Sequence, residues 1–367
     1  MVKMRVALFL LATVLAGCTS RQIMNLPTET LYFAGEASGG AVSLSLTGRT
    51  LLGVYSNRST ATLDSVEVPV GEHLPLDVQT RVVDVVDFAP PLSASFGRHV
   101  LAAAAGTAAL LYEDRTAAEN TILKLATREI GAERWTLNVL EPPGEPLAVL
   151  PSPAGGFDAF WAAGGLLWRS SAGASQPLAR AFKPAGSPRM HEGGFTVYNA
   201  DDGALNAVQR AAGGFAVRRF DGAGPVQSSL ESPEGVLSVL SWDASTRRLL
   251  LLEEAHNGRG PARTTVTLCD DTRTVALLPG PSADTHLFLF DESQSTAGGR
   301  RYRVSLVAPS AAVGKPGKSY RKSVLHEGAQ PIEGFAAVET PDALYVLVQS
   351  GGMSLIRAGI RGTSPVS

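Results

Sequence analysis

Short apolar runs of five to eight residues, rich in β-branched, aromatic and aliphatic side chains, recur along most of the chain. Gly, Pro, Asn and Asp separate these runs, and tight turns prefer those residues. Several segments share one form, an apolar run, a short polar turn and a second apolar run, as in Phe157–Trp161 followed by Leu166–Arg169. Long helical periodicity is scarce. The pattern therefore predicts an all-β protein built from antiparallel hairpins.

The hairpin units repeat at a regular spacing. They begin near positions 41, 100, 157, 195, 237, 286 and 335, which gives a mean step of about 49 residues. A four-stranded blade of a β-propeller has a similar length, and such a sheet buries both of its faces when blades pack in a ring. We therefore predict a β-propeller of about seven four-stranded blades. Six or eight blades also fit, and the alternative is a large β-sandwich.

Two segments refine this prediction. The last unit leaves room for three strands after Phe335, so Leu31–Ala34 is expected to supply its outer strand and close the ring. Asn120–Ile130 fits a helix with an N-cap at Asn120, but it fits an alternating strand as well, and its type stays open. The repeats carry no WD dipeptide, Asp-box or kelch signature.

The first twenty residues have the pattern of an export signal. Lys3 and Arg5 precede the run Val6–Leu15, which is too short to cross a bilayer as a helix. The run ends in Leu15-Ala16-Gly17-Cys18, which resembles the lipobox of bacterial lipoproteins. In that family the signal is cut before the cysteine, whose thiol is acylated. The resemblance implies cleavage between Gly17 and Cys18 and a lipid anchor on Cys18, which attaches the protein to a membrane.

This resemblance divides the chain into a signal peptide (1–17), a lipidated tether (18–30) and a single propeller domain (31–367). Several acyl chains hold a protein on a membrane far more firmly than one chain does. In the lipoproteins that this chain resembles, an Asp after the cysteine often retains the protein in the inner membrane. This position is Thr19. We therefore expect a lipid-anchored protein of the bacterial cell envelope, with the outer membrane favoured over the inner.

Charge and cysteine content exclude several classes of protein. The 32 Lys and Arg residues nearly balance the 34 Asp and Glu residues, which excludes a general nucleic-acid binder. Two cysteines exclude a disulfide-dense scaffold, an iron–sulfur cluster and a Cys-rich zinc site. With Cys18 acylated, only Cys269 stays free. It lies in a strand-like run, which predicts a buried and unreactive thiol.

Motifs that could carry chemistry are weak. Residues 312–319 (AVGKPGKS) match a permissive phosphate-loop pattern, but Ala312 stands where the strict pattern has Gly and no helix start follows, so no nucleotide is expected. The motif His-Glu-Gly occurs at His191 and at His326, and it could bind a metal if the fold joined both copies; inter-blade packing or coincidence explains it better. Asn199–Gly203 begins like a calcium loop but fits a hairpin turn better.

The acid pairs are no stronger as signals. In a strand, the neighbours Glu253 and Glu254, or Asp270 and Asp271, point to opposite faces. The chain lacks a GxSxG nucleophile elbow. The sequence therefore assigns no catalytic residue, no metal ligand and no cofactor.

Two functions fit these observations. The first is a binding or scaffold protein that presents a propeller face to a protein or polysaccharide of the envelope. An exposed aromatic patch would support it; the candidates are Trp161, Trp168 and Trp242, although core packing accounts for each of them. The alternative is an envelope glycan hydrolase or lyase on the same scaffold. It needs two carboxylates, or a His and a Tyr, close together in the central funnel.

Overall fold

The computed structural model describes residues 28–34, 42–57, 60, 62–70, 78, 80–85, 98–116, 120–171, 173–191, 193–201, 203–212, 214–220, 226–231, 236–243, 248–253, 262–266, 275–279, 286–309, 320–340 and 343–359. Within these ranges, 28 β-strands form seven antiparallel sheets of four strands each. Across the same residues, no helix combines the length and the apolar character that a membrane crossing requires.

Six sheets use four consecutive strands and are numbered here as blades in chain order. Blades 1 to 3 are β2 (Val42–Thr47), β3 (Thr50–Asn57), β4 (Thr62–Pro69), β5 (Thr80–Val85); β6 (His99–Ala104), β7 (Thr107–Thr116), β8 (Asn120–Glu129), β9 (Thr136–Leu140); and β10 (Glu145–Pro151), β11 (Phe157–Ala163), β12 (Leu166–Ser171), β13 (Ala174–Arg180). Blades 4 to 6 are β14 (Pro184–His191), β15 (Gly194–Asn199), β16 (Ala204–Ala211), β17 (Gly214–Phe220); β18 (Val226–Glu231), β19 (Leu237–Asp243), β20 (Arg248–Glu253), β21 (Ala262–Val266); and β22 (Val275–Pro279), β23 (His286–Thr296), β24 (Gly299–Pro309), β25 (Tyr320–Gly328).

Blade 7 joins the two ends of the chain. Its strands are β26 (Gly334–Glu339), β27 (Ala343–Gln349), β28 (Met353–Gly359) and β1 (Thr28–Ala34), in that order across the sheet. Strand β1 pairs antiparallel with β28, from Thr28 opposite Ala358 to Ala34 opposite Met353. The expected closure by Leu31–Ala34 is confirmed, and the strand begins three residues earlier than the sequence pattern indicated.

The blades form a closed ring. The first strand of each blade contacts the first strand of the next, from β2 through β6, β10, β14, β18 and β22 to β26, and β26 contacts β2. Apolar clusters fill the spaces between blades; one contains Leu52 and Val54 of blade 1 with Leu110 and Tyr112 of blade 2. The chain is a seven-bladed β-propeller, as the repeat spacing predicted, and not a sandwich.

The predicted unit starts correspond to two different strands. Positions 41, 100 and 335 lie beside the inner strands β2, β6 and β26, whereas 157, 195, 237 and 286 lie at the second strands β11, β15, β19 and β23. A second strand packs between two neighbours of its own sheet and has the stronger apolar pattern. An inner strand has a neighbouring strand on one side only, and its other edge faces the axis. Strand β14, for example, reads Pro-Ala-Gly-Ser-Pro-Arg-Met-His and lacks the apolar pattern of a second strand. The mean spacing of about 49 residues still matches the blade length, because the first and the last predicted starts both lie at inner strands.

Two ambiguous segments are settled by their sheet partners. Residues 120–129 form strand β8, which pairs with β7 on one side and β9 on the other, and buries Leu123 and Ala126. The segment Asn199–Gly203 is the turn between β15 and β16, where the Gly203 N–H donates to the Asn199 carbonyl at 3.0 Å. Gly203 has a φ of +65°, a conformation that favours glycine. The hairpin interpretation of this segment is therefore confirmed.

Candidate functional site

A cavity of about 650 Å³ lies on the axis of the ring and touches the inner strand of every blade. Its volume falls in the range of ordinary ligand pockets. Each inner strand contributes lining residues; one from each blade, in order, is Val42, His99, Pro146, Arg189, Ser229, Leu277 and Phe335. Because all seven blades build this cavity, it is the candidate functional site.

Serine hydroxyls join the inner strands of neighbouring blades around the cavity. Ser43 Oγ lies 2.9 Å from His99 Nδ1, between blades 1 and 2. Ser229 Oγ donates to the Arg189 carbonyl at 2.9 Å, between blades 4 and 5, and Ser228 Oγ accepts from the Leu277 N–H at 2.8 Å, between blades 5 and 6. Inner strands have no further strand beside them toward the axis, so these bonds satisfy backbone groups and hold the cavity wall in place.

The inner strands of blades 3, 4 and 5 are irregular where they face the cavity. Their pairing with the second strand shifts register between Pro146 and Ala148, between Ala185 and Arg189, and between Val226 and Ser228. The inner strands of blades 1, 2, 6 and 7 pair with their second strands without such a shift. Bulges redirect side chains and occur often beside binding sites. The cavity wall formed by blades 3 to 5 therefore has irregular strand pairing, whereas the wall formed by the other four blades is regular.

Two arginines give this region a positive charge. Arg98 forms an ion pair with Glu145 across blades 2 and 3. Burial raises the pKa of Glu145, nearby Glu113 adds to the effect, and Arg98 opposes it. Because Arg98 is paired, most of its charge is already balanced.

Arg189, unlike Arg98, has no ion-pair partner among the described residues. Its Nε is buried and has no hydrogen-bond partner among the described residues. Burial lowers the pKa of the Arg189 guanidinium to about 10, and the charge of Arg98 contributes to the shift. The guanidinium therefore remains protonated at neutral pH. Within the described ranges, no carboxylate forms an ion pair with it.

Two carboxylates, Glu333 and Glu339, also line the cavity. Glu339 is the last residue of β26 and Glu333 immediately precedes the strand; their separation of six residues corresponds to about 20 Å along an extended chain. The two carboxylates of a glycosidase lie roughly 5–10 Å apart. Glu333 and Glu339 therefore do not form such a pair.

The two His-Glu-Gly motifs do not meet. His191 ends the inner strand of blade 4 and lines the cavity, whereas His326 lies on β25, the outer strand of blade 6. Burial lowers the pKa of His326, and the Glu327 beside it pairs with Arg303 at 2.5 Å. Across the ranges given above, no three His, Cys, Asp or Glu side chains come together as metal ligands.

Trp161 and Trp168 pack in an apolar cluster between blades 2 and 3. Trp161 is fully buried and stacks on Trp168, with ring centroids 6.2 Å apart. Trp161 Nε1 donates to the Pro142 carbonyl at 2.8 Å, and Trp168 Nε1 donates to the Ala163 carbonyl at 3.2 Å. These two residues serve core packing and do not form an exposed patch. The Trp242 side chain is outside the described residues.

Several sequence predictions also fall outside the described residues. They concern the lipobox with Gly17 and Cys18, the free Cys269, residues 312–319, Asp270 with Asp271, and Glu254. The cavity residues that carry charge, Arg98, Arg189, Glu333 and Glu339, were not singled out from the sequence. The blade spacing is the signal that could have placed them, because it locates the inner strands.

Comparison with known proteins supports the fold alone. No family model matches the chain, and no curated protein matches its sequence. Among solved structures, YCF48 bound to a D1 peptide superposes with a TM-score of 0.58 at 12% identity, covering 94% of this chain and 99% of that one. A catalytically inactive virginiamycin B lyase from Staphylococcus aureus with quinupristin gives 0.56 at 9% identity, covering 91% and 99%. YCF48 from Cyanidioschyzon merolae gives 0.51 at 12% identity, covering 90% and 98%.

Proposed function

We propose that this chain is a non-catalytic binding protein of the bacterial cell envelope that holds a segment of a partner protein in its axial cavity. The observation that carries the proposal is the cavity itself. It has lining residues from all seven inner strands and contains Arg189, whose buried Nε has no hydrogen-bond partner among the described residues. A rigid scaffold with one such cavity is suited to binding.

The dimensions favour an extended segment over a globular ligand. The inner strands are five to eight residues long, so an inner strand of six residues spans about 20 Å at 3.3 Å per residue. A peptide of about six extended residues would reach along this length. Alongside it, Val42, Met190, Leu230 and Phe335 offer apolar contacts within the same lining.

Two further points support a peptide partner and the envelope. In the solved YCF48 structure, a protein of the same fold is bound to a peptide of D1. The lipobox at Leu15-Ala16-Gly17-Cys18 implies an acylated Cys18, and Thr19 favours the outer membrane.

Capture of partners by a cavity variant tests this proposal. Ala336 lines the cavity on β26, so Ala336→Trp would fill part of it. The matched control Val139→Trp adds the same ring on β9, where the side chain is 59% exposed on the outer strand of blade 2. Full-length wild type and both variants would be tagged, expressed in the native host and recovered after cross-linking of solubilised envelopes.

We expect a protein partner with wild type and with Val139→Trp, and its loss with Ala336→Trp. Equal recovery with all three proteins would contradict the use of the cavity. Capture of glycan alone would contradict a protein partner and would indicate a polysaccharide as the ligand. Turnover of envelope glycans by the purified protein would contradict a purely binding role.

A further inference from the structure

Arg189 lines the cavity without an ion pair to any carboxylate that the structure describes. Its Nε has no hydrogen-bond partner among the described residues, and its guanidinium forms no ion pair with a described carboxylate. Removing an arginine from water without a counter-charge is costly, and folded proteins retain such groups where a ligand or another function requires them. Arg189 thus differs from the other buried cations. Arg169 pairs with Asp158 at 2.8 Å, and Lys322 pairs with Glu292.

The backbone holds Arg189 in a defined position. It follows the register shift that begins after Ala185, and it lies opposite the buried Thr196 of β15. The hydroxyl of Ser229 on blade 5 fixes its carbonyl. The guanidinium therefore projects from a fixed point on the irregular part of the wall formed by blades 3 to 5.

The surrounding charges define what this site can accept. Arg98 is near enough to affect the pKa of Arg189 and is itself paired with Glu145. His191 follows two residues after Arg189 and lines the cavity as well. Glu333 and Glu339 belong to blade 7, three blades away around the ring, and neither contributes to the pKa shift of Arg189. A single negative charge beside Arg189 fits this arrangement, whereas a polyanion would also face the two glutamates.

We propose that Arg189 binds a carboxylate of the peptide that occupies the cavity, an inference that rests on the proposed function above. A guanidinium matches a carboxylate with two parallel N–H···O bonds, and such a pair is strong where water is excluded. The carboxylate comes from an Asp or Glu side chain or from the carboxyl end of the partner. Met190 on the same strand and Leu230 on the inner strand of blade 5 also line the cavity and would contact the apolar part of the same segment.

Selection from a random hexapeptide library tests the inference directly. The full chain, purified in detergent, would be used for the selection. Wild type would be compared with Arg189→Gln, Arg189→Lys and the control Arg219→Gln, which lies exposed on the outer strand β17. Two libraries, one with free and one with amidated carboxyl ends, distinguish the two sources of the carboxylate. Acetate and inorganic phosphate serve as competitors.

We expect peptides selected by wild type to carry one carboxylate at a fixed position. Replacing that Asp or Glu by its amide, or Arg189 by Gln, would weaken binding at least tenfold, in line with the strength of charge-assisted hydrogen bonds. Arg189→Lys would retain part of the affinity and Arg219→Gln all of it. Selected peptides without a carboxylate, equal binding by Arg189→Gln, or selection of no peptide would overturn the inference.

Thermal unfolding without ligand adds a second readout. Because no carboxylate in the described part of the chain pairs with Arg189, Arg189→Gln should unfold at the same temperature as wild type or higher. A clear fall in its unfolding temperature would show that Arg189 has a structural role and would overturn the inference. The partner capture with Ala336→Trp remains a separate test, since a peptide held only by apolar contacts would still be lost from the filled cavity.

Discussion

The Tyr112 hydroxyl in blade 2 donates a hydrogen bond of 2.6 Å to Asp84 Oδ2 in blade 1. Lys124, on the strand beside Tyr112, reaches the same carboxylate oxygen at 2.7 Å and also pairs with Asp114 at 2.5 Å. Asp84 lies on the outer strand β5 of blade 1, so this cluster joins blade 1 to the second and third strands of blade 2. It stabilises one of the seven contacts between blades on which the shape of the cavity depends.

We predict that Asp84→Asn lowers the free energy of unfolding by roughly 2 kcal/mol, because hydrogen bonds to charged groups contribute about 1.5–3 kcal/mol each and Lys124 keeps Asp114 as a partner. Urea unfolding at pH 7 measures the change. Asp201→Asn, at an exposed turn, is the matched control and should change stability by less than about 0.5 kcal/mol. Equal stability of the two variants would contradict the role assigned to the cluster.

The same cluster predicts a loss of stability in alkali. Burial raises the pKa of Tyr112 far above its usual 10.0, and the hydrogen bond to Asp84 adds to the shift. Burial alone would lower the pKa of Lys124, but its hydrogen bonds to Asp114 and Asp84 outweigh this, and the net pKa is raised above 10.5. Both groups hold their protons more tightly when folded. The stability they contribute is therefore complete below about pH 10 and falls as pH rises beyond it.

Urea unfolding between pH 8 and pH 11 measures this dependence. Each group contributes a slope of up to about 1.4 kcal/mol per pH unit. Tyr112→Phe removes one of the two titrating groups, so its stability should fall less steeply above pH 10 than that of wild type. Parallel curves for the two proteins would show that Tyr112 does not titrate on unfolding as described.

Closure of the ring by β1 is tested with a pair of truncated proteins. A protein that begins at residue 28 keeps β1, whereas one that begins at residue 35 leaves the edge of β28 unpaired. We expect the first to unfold like the full chain and the second to lose about 3 kcal/mol or more, since several net hydrogen-bond contributions of about 1 kcal/mol disappear. Chemical denaturation followed by tryptophan fluorescence measures both. Identical midpoints would contradict closure by β1.

The lipid anchor is tested by labelling with radioactive palmitate in the host cell. Wild type should incorporate the label, and Cys18→Ser should not. Cys269→Ser is the matched control, because it removes the other cysteine of the chain and should leave labelling intact. Label on Cys18→Ser, or none on wild type, would remove the basis for placing the protein in the envelope.

The fold was predictable from the sequence because second strands such as Phe157–Ala163 have a strong apolar pattern that recurs at blade spacing. The inner strands were harder to recognise. Strand β14 contains two prolines and a glycine, and its sequence alone does not resemble a strand. Its role follows from its place in the ring, which pairing with β15 and contact with the neighbouring inner strands decide.

The charged cavity could not be predicted because its balance of charge depends on partners from different blades. Arg98 and Glu145 are 47 residues apart in the chain, and nothing local links them. Arg189 stands in the short segment Pro188-Arg189-Met190, where the sequence does not show whether a carboxylate lies nearby. Only the ring brings Arg98 close to Arg189 and leaves Glu333 and Glu339 on another blade.

The most direct test of the account is a photo-cross-linking amino acid placed in the cavity of the protein in its native host. At position 336 it would replace Ala336 inside the cavity, and at position 139 it would replace the exposed Val139 on the outer rim. Mass spectrometry of the adducts identifies what lies within reach. We predict that position 336 gives an adduct with one short, carboxylate-containing segment of a single envelope protein, and that position 139 does not. The same adducts from both positions, or none from position 336, would contradict binding in the axial cavity.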